Sequence, residues 1–255
     1  MFLKKISGLC SDVKQEYLRE EALSTGRLGV FEWGVFLISC LSLVIMNFTG
    51  TPHNFLWFSR HFDFVPVEYW ELGHLGLWVF GCVLGFICIP LIFLKLTKQP
   101  LADYYLGKPQ GHSHWWPYIA CFIPVSGIVF WVSYWPDFQA IYPFYSLAGR
   151  TWFDLIIWEL AYGLQFFALE FFFRAFLLQS LRKALGYGAI AFMLVPYCMI
   201  HFPKTAAESL GSIFAGIILG YLAMKGRSIW GGVLLHWLIA IEMDILSLVQ
   251  TGKMP

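Results

Sequence analysis

Charged residues are scarce in this 255-residue chain: Asp, Glu, Lys and Arg make up 13% of it, while 58% of the residues are hydrophobic. Soluble domains carry about 25% charged residues, so the sequence does not fit a soluble monomer or a disordered chain. The 17 basic and 16 acidic residues nearly cancel, and a chain without a basic surplus is not expected to bind nucleic acid. The composition instead indicates a membrane protein.

Several common redox and catalytic motifs are also missing. The six cysteines form no Cys-x-x-Cys pair, and five of them lie in apolar runs, where a free cysteine packs as a small hydrophobic residue. No HExxH, GxSxG or P-loop motif is present, so soluble zinc proteases, GxSxG serine hydrolases and P-loop NTPases lose support. Residues 1–29 have no apolar core segment and are not expected to be a signal peptide.

Long apolar segments dominate the rest of the chain. A helix needs about 18 or more apolar residues to cross the hydrocarbon core of a bilayer. Seven segments approach or exceed this length, at 30–49, 74–96, 114–135, 152–181, 186–202, 206–224 and 228–250. The fourth is long enough to be strongly tilted or broken near Gly163. The sequence therefore predicts an all-α bundle of seven transmembrane spans, or eight if the fourth segment is split.

The tail before the first span predicts an amphipathic helix. Apolar residues recur there at helical spacing, and charged residues lie between them: Phe2, Leu3, Ile6, Leu9, Val13 and Tyr17. This pattern suits a helix on the membrane surface, the alternative being a frayed polar tail. Lys and Arg are most frequent in this tail and in every second connection, which places the N-terminus in the cytoplasm. We expect a multi-pass protein of the bacterial inner membrane, divided into residues 1–29, spans at 30–150 and a core at 151–255 that carries the polar site.

The few ionisable residues inside spans are the natural candidates for chemistry, because each costs about 2.5–3.5 kcal/mol to insert at the bilayer centre. Glu170 and Arg174 lie one helical turn apart and can pair, either to fix helix packing or to present a carboxylate to a cavity. His201 ends the fifth segment, and Glu208 begins the sixth, where it could equally be part of a helix-capping box. His236 lies in the last segment.

Two imidazoles and a carboxylate form a common ligand set for catalytic zinc. His201, His236 and Glu208 are therefore candidate ligands of one divalent metal ion, with a further carboxylate as general base. Without a metal, a glutamate and a histidine would activate water directly. Both routes predict hydrolysis inside a membrane cavity.

The motifs at these positions resemble those of the CPBP family of intramembrane proteases, which includes the CAAX prenyl endopeptidases and the Abi bacteriocin-processing or immunity proteins. The family pattern is Glu-Glu-xxx-Arg, then Phe-xxx-His, then His-xxx-Asn/Asp. The corresponding stretches here are Leu169-Glu170-Phe171-Phe172-Phe173-Arg174, Tyr197-Cys198-Met199-Ile200-His201 and His236-Trp237-Leu238-Ile239-Ala240. The resemblance implies an intramembrane metalloprotease fold in which Glu170, Arg174, His201 and His236 are site residues.

Two positions depart from the family pattern. Leu169 replaces the first glutamate, which the family uses to activate water, and Ala240 replaces the terminal Asn/Asp. Glu208 would then supply the missing carboxylate.

Three functional hypotheses follow. The first is an endopeptidase that acts, among membrane lipids, on a membrane-associated peptide or protein. The second is a catalytically inactive relative that serves as a scaffold, immunity or assembly protein. The third is a transporter, which the absence of paired broken spans disfavours.

Overall fold

The computed structural model describes residues 2–49, 52–62, 65–108 and 115–255, with side chains in the same ranges except at 2–11 and 52–56. Every secondary-structure element in these ranges is helical. In chain order the helices are α1 (Phe2–Leu23), α2 (Val30–Thr49), α3 (Pro52–His61), α4 (Val67–Leu96), α5 (Trp115–Val132), α6 (Pro136–Gln139), α7 (Trp152–Leu185), α8 (Gly188–Met199), α9 (Ala206–Gly226) and α10 (Trp230–Gln250).

The prediction of an all-α membrane bundle is confirmed. Within the described ranges, six helices are long and apolar enough to cross a membrane, namely α2, α4, α5, α7, α9 and α10. They coincide with six of the seven predicted segments. The remaining segment, 186–202, contains α8, which is apolar but only 12 residues long. Many large apolar side chains on the long helices are exposed, including Leu37, Ile123 and Phe214, as expected where lipid rather than water surrounds the bundle.

The fourth segment is a continuous helix, so of the two alternatives, a strongly tilted span or a break near Gly163, the break is not present. A Cβ atom at Gly163 would lie 2.5 Å from the ring of Trp237, which means that this glycine allows α7 and α10 to pack closely. The irregularity of α7 lies further along, where residues Phe171–Leu178 form π-helical turns. Such turns occur frequently at functional sites, and this one begins directly after Glu170.

The π-helical part of α7 forms the centre of the core. All eight of its residues are buried. Phe172 stacks on Phe86 of α4 at a ring distance of 4.5 Å, and Phe173 meets Tyr197 of α8 edge to face at 5.3 Å. Glu170, which directly precedes this part of the chain, and Arg174, which lies within it, are therefore held by rigid packing on several sides.

The two ends of the chain lie at opposite ends of the bundle. At one end, α1 is joined to α7 by an ion pair between Glu20 and Arg182, and to α9 by a 3.1 Å contact between Glu16 and Lys225. At the other end, the backbone at Gly149 lies against the carbonyl group of Lys253. The sequence prediction of a helix in the tail agrees with α1, and its position on a membrane surface stays a prediction.

Candidate active site

An ion pair inside α7 is the first component of the site. Arg174 Nη1 lies 3.2 Å from Glu170 Oε1, and both side chains are almost completely buried, with exposed fractions of 0% and 1%. This is the pairing that the four-residue spacing predicts. Because neither charge reaches solvent, each depends on the other and on nearby polar groups for its stabilisation.

His236 brings α10 to this ion pair. Its Nδ1 atom lies 3.0 Å from Glu170 Oε1, and the ring of Phe166 lies parallel to the imidazole at 5.5 Å. Gly232 makes the approach possible, since a Cβ atom there would lie 2.3 Å from Glu170 Oε2. The first and third motifs, about 60 residues apart in sequence, thus meet at one carboxylate.

Tyr197 connects this pair to the second motif. Its hydroxyl group lies 2.9 Å from His236 Nε2, and its ring lies 4.2 Å beneath the guanidinium carbon of Arg174. Its backbone carbonyl accepts a hydrogen bond of 2.8 Å from His201 Nδ1. Sequence reasoning did not select Tyr197 as a site residue, although a tyrosine at the family's phenylalanine position was the signal that could have identified it.

Polar contacts fix the tautomer of His201 and the orientation of His236. A backbone carbonyl can only accept, so His201 carries its hydrogen on Nδ1 and a lone pair on Nε2. His236 lies between two polar partners, the Glu170 carboxylate at Nδ1 and the Tyr197 hydroxyl group, which shares a hydrogen bond with Nε2. Both imidazoles are thereby held in a defined orientation.

Glu208 lies in a second polar cluster at the turn between α8 and α9. Its Oε2 atom accepts a 2.9 Å hydrogen bond from the hydroxyl group of Tyr142, and Lys204 Nζ lies 3.6 Å away. Its backbone N–H donates to Thr205 Oγ1 at 3.2 Å, so the capping role that the sequence left open is also present. Burial raises the pKa of Tyr142, as do the nearby Tyr162 and Glu208, which keeps this phenol a neutral donor to the carboxylate.

The turn that carries Glu208 adjoins His201. The hydroxyl group of Ser209 donates to the His201 carbonyl at 2.9 Å, and the Lys204 amide donates to the same carbonyl at 3.0 Å. No hydrogen bond or ion pair joins Glu208 itself to His201 or His236 among the contacts of the described residues. The structure thus unites Glu170, Arg174 and His236 directly, adds His201 through Tyr197, and leaves Glu208 in the adjoining cluster.

Two further acids lie within the bundle. Asp244 is fully buried and accepts hydrogen bonds from the Trp158 indole at 2.8 Å and from the Phe144 amide at 2.9 Å. Glu159 lies beside it and is 9% exposed. Sequence reasoning did not select either acid, because only the packing of α7 against α10 brings their carboxyl groups together.

The polar groups do not form a metal-ligand set. In the described part of the chain, no group of three or more His, Cys, Asp or Glu side chains is arranged to hold a metal ion. His236 uses Nδ1 for Glu170 and Nε2 for Tyr197, while Glu208 uses its carboxylate for Tyr142 and Lys204. The zinc site suggested by His201, His236 and Glu208 therefore has no support from this geometry.

Substitution of Gly232 by alanine is expected to disturb the site directly. The added methyl group would overlap the Glu170 carboxylate, and overpacking of this kind costs about 1–3 kcal/mol. The free energy of unfolding in detergent micelles measures the loss. Gly211→Ala in α9 is the matched control, since nothing lies within 4 Å of its Cβ position and removal of a helical glycine there should stabilise by about 0.5–1 kcal/mol. Equal behaviour of the two variants would show that Glu170 does not pack against α10.

Comparison with known proteins identifies a family for the part of the chain that carries the site. Residues 150–241 match the family model described as "Type II CAAX prenyl endopeptidase Rce1-like", which confirms the resemblance indicated by the three motifs. The matched range is somewhat more than a third of the chain and includes all three motifs. Neither the curated proteins nor the solved structures provide a match.

Proposed function

We propose that this chain, a CAAX protease family member through residues 150–241, is an intramembrane endopeptidase that hydrolyses a peptide bond in a membrane-associated peptide or protein. One observation carries the proposal: Glu170 Oε1 lies 3.0 Å from His236 Nδ1. This contact joins two motifs from different helices at a buried carboxylate. A half-buried, oriented imidazole beside a buried carboxylate is suited to handling protons in a hydrolytic reaction.

Glu208 is the carboxylate best placed to take a proton from water. Its side chain is 22% exposed, whereas Glu170, Glu159 and Asp244 are buried. Glu170 is also engaged by Arg174 and His236. We assign Glu208 as the general base, because water and substrate must reach the group that accepts the proton.

The proposed step needs no group beyond this chain, water and the substrate. A water molecule near His201 transfers a proton to Glu208 while its oxygen bonds to the carbonyl carbon of the peptide. The carbon–nitrogen bond then breaks, and the leaving amine receives the proton from Glu208. His201 Nε2, which keeps its lone pair, would orient the water, and Arg174 would keep Glu170 ionised as the partner of His236.

The distribution of charge supports an orientation in the membrane. The bundle end that carries α1 also carries Arg182, Lys183, Lys225 and Arg227, and basic residues favour the cytoplasmic side. We therefore place this end in the cytoplasm and the turn with Glu208 near the opposite surface, in a bacterial inner membrane. The partners would be membrane lipids and the peptide substrate, and no nucleic acid.

A specific observation favours a second function, that of an inactive scaffold, immunity or assembly protein. Leu169 and Ala240, at the two positions where the family pattern is polar, are each only 4% exposed and pack in the hydrophobic core. If Glu208 does not replace the missing carboxylate, the chain would keep the fold of the family but would lack a group that activates water.

Mapping of new protein N-termini separates the two functions. Membranes from cells that contain the wild-type chain should yield cleavage products that are missing when the chain is His201→Ala or His236→Ala. His61→Ala is the control, because this histidine of α3 is exposed and contacts Trp57 of its own helix. If the wild-type chain and both site variants, at equal protein levels, give identical sets of N-termini, the protease function is rejected. The function as an inactive scaffold, immunity or assembly protein would then remain.

A further inference from the structure

We propose that Tyr197 is a positioning residue that holds both histidines of the site in one geometry through its hydroxyl group and its backbone carbonyl. The inference rests on the proposed protease function and adds to it a residue that the motif pattern does not select. At this position the family pattern has phenylalanine, which lacks the hydroxyl group.

The contacts of Tyr197 single it out. It is 1% exposed, and it touches His236 through its hydroxyl group, His201 through its carbonyl, and Arg174 through its ring. Its ring also lies 4.8 Å from the His201 ring. Three of the predicted site residues, from three different helical segments, therefore share this one side chain and its backbone.

The hydroxyl group also has a reason to be present in this chain. Ala240 follows His236 by one helical turn, where the family pattern has Asn or Asp, and its methyl group offers no hydrogen bond. His236 instead finds its polar partners on other helices, namely Glu170 of α7 and Tyr197 of α8. The hydroxyl group of Tyr197 thus fixes the Nε2 side of an imidazole that its own helix leaves without a polar neighbour.

The consequence is that α8 controls the orientation of His236. If the hydroxyl group is lost, the imidazole keeps the Glu170 contact at Nδ1 and the parallel Phe166 ring, but no polar partner of α8 holds Nε2, and the ring can rotate or shift by a fraction of an ångström. Misplacement of a site group by about 1 Å can reduce turnover on the order of 10²-fold. A change in the position of His236 would therefore lower the turnover number more than it would weaken substrate binding.

Tyr197→Phe tests the inference with the smallest possible change. The phenyl ring still supports Arg174 and fits the position, because phenylalanine is the family residue. We expect kcat to fall about tenfold to a hundredfold with little change in KM, measured on a cleavage site identified by the mapping of N-termini. In ¹⁵N NMR spectra, the Nε2 resonance of His236, assigned with His236→Ala, should move as its hydrogen bond to the phenol disappears. Tyr105→Phe is the control, since Tyr105 is equally buried but its hydroxyl group bonds to Arg182 at 2.8 Å, at the other end of the bundle.

The outcomes distinguish this inference from the proposed function. Suppose that the wild-type chain cleaves, that Tyr197→Phe cleaves equally well, and that the His236 resonance does not move. The positioning role of Tyr197 would then be wrong, while the proposed protease function would be unaffected. If the wild-type chain cleaves nothing, the protease fails, while a shifted His236 resonance in Tyr197→Phe would still support the structural connection. An equal loss of turnover in Tyr105→Phe would attribute the effect to general destabilisation and overturn the specific role of Tyr197.

Discussion

Replacement of Arg174 by alanine is expected to destabilise the fold more than any other single change at the site. Its guanidinium group is fully buried, lies 3.2 Å from Glu170 and rests on the Tyr197 ring. Removal of one partner of a buried ion pair costs about 3–5 kcal/mol, because the other charge stays uncompensated. Here Glu170 would have to take up a proton or lose its place beside His236. Unfolding of the purified protein in detergent micelles, by heat or denaturant, measures the loss.

Glu170→Gln provides the comparison for Arg174→Ala. Glutamine keeps a carbonyl acceptor for the guanidinium group, and the Tyr197 ring still faces the cation. We expect a loss of about 1–3 kcal/mol, typical of an imperfectly satisfied buried polar group. If Arg174→Ala unfolds like the wild-type protein, the pair is not buried in the membrane. The position assigned to this part of α7 within the bilayer would then be wrong.

Glu208→Gln is expected to have the largest effect on activity with the least effect on stability. A neutral amide can still accept the hydrogen bond from Tyr142, and the lost ion pair with Lys204 is partly exposed and worth at most about 1 kcal/mol. An amide cannot take a proton from water, so turnover should fall on the order of 10²- to 10⁴-fold if Glu208 is the general base. Cleavage of the mapped substrate and thermal stability should be measured on the same preparation.

Thr205→Ala separates the two roles of Glu208. This change removes the side chain that caps the first turn of α9, at a cost of about 1 kcal/mol, and leaves the carboxylate in place. We expect Thr205→Ala to lose stability but still cleave, and Glu208→Gln to be stable but inactive. This pair of results would support the assignment of Glu208 as the general base. Full activity of Glu208→Gln would assign Glu208 to capping alone and would move the proton-accepting role to the His236–Glu170 pair.

The amino-acid sequence by itself determined the parts of this protein that depend on local pattern. Apolar runs of sufficient length must be helical in a bilayer, because only a helix satisfies its own backbone hydrogen bonds there. The spans of α2, α5, α9 and α10 were therefore predictable within a few residues, whereas α4 begins at Val67, seven residues before the predicted start at 74. The pairing of Glu170 with Arg174 was predictable for the same reason, since helical geometry alone places residues four apart on one face.

Only the tertiary structure decided which residues meet across helices. The contact of His236 with Glu170 depends on Gly232, whose missing side chain leaves room for a carboxylate. The role of Tyr197 depends on the way α8 packs against the π-helical turns of α7, and hydrophobic periodicity does not encode such packing. Glu208 was predicted beside His201, but its partner Tyr142 comes from a distant loop. These contacts arise from the fit of particular side chains between helices, which segment length and polarity leave undetermined.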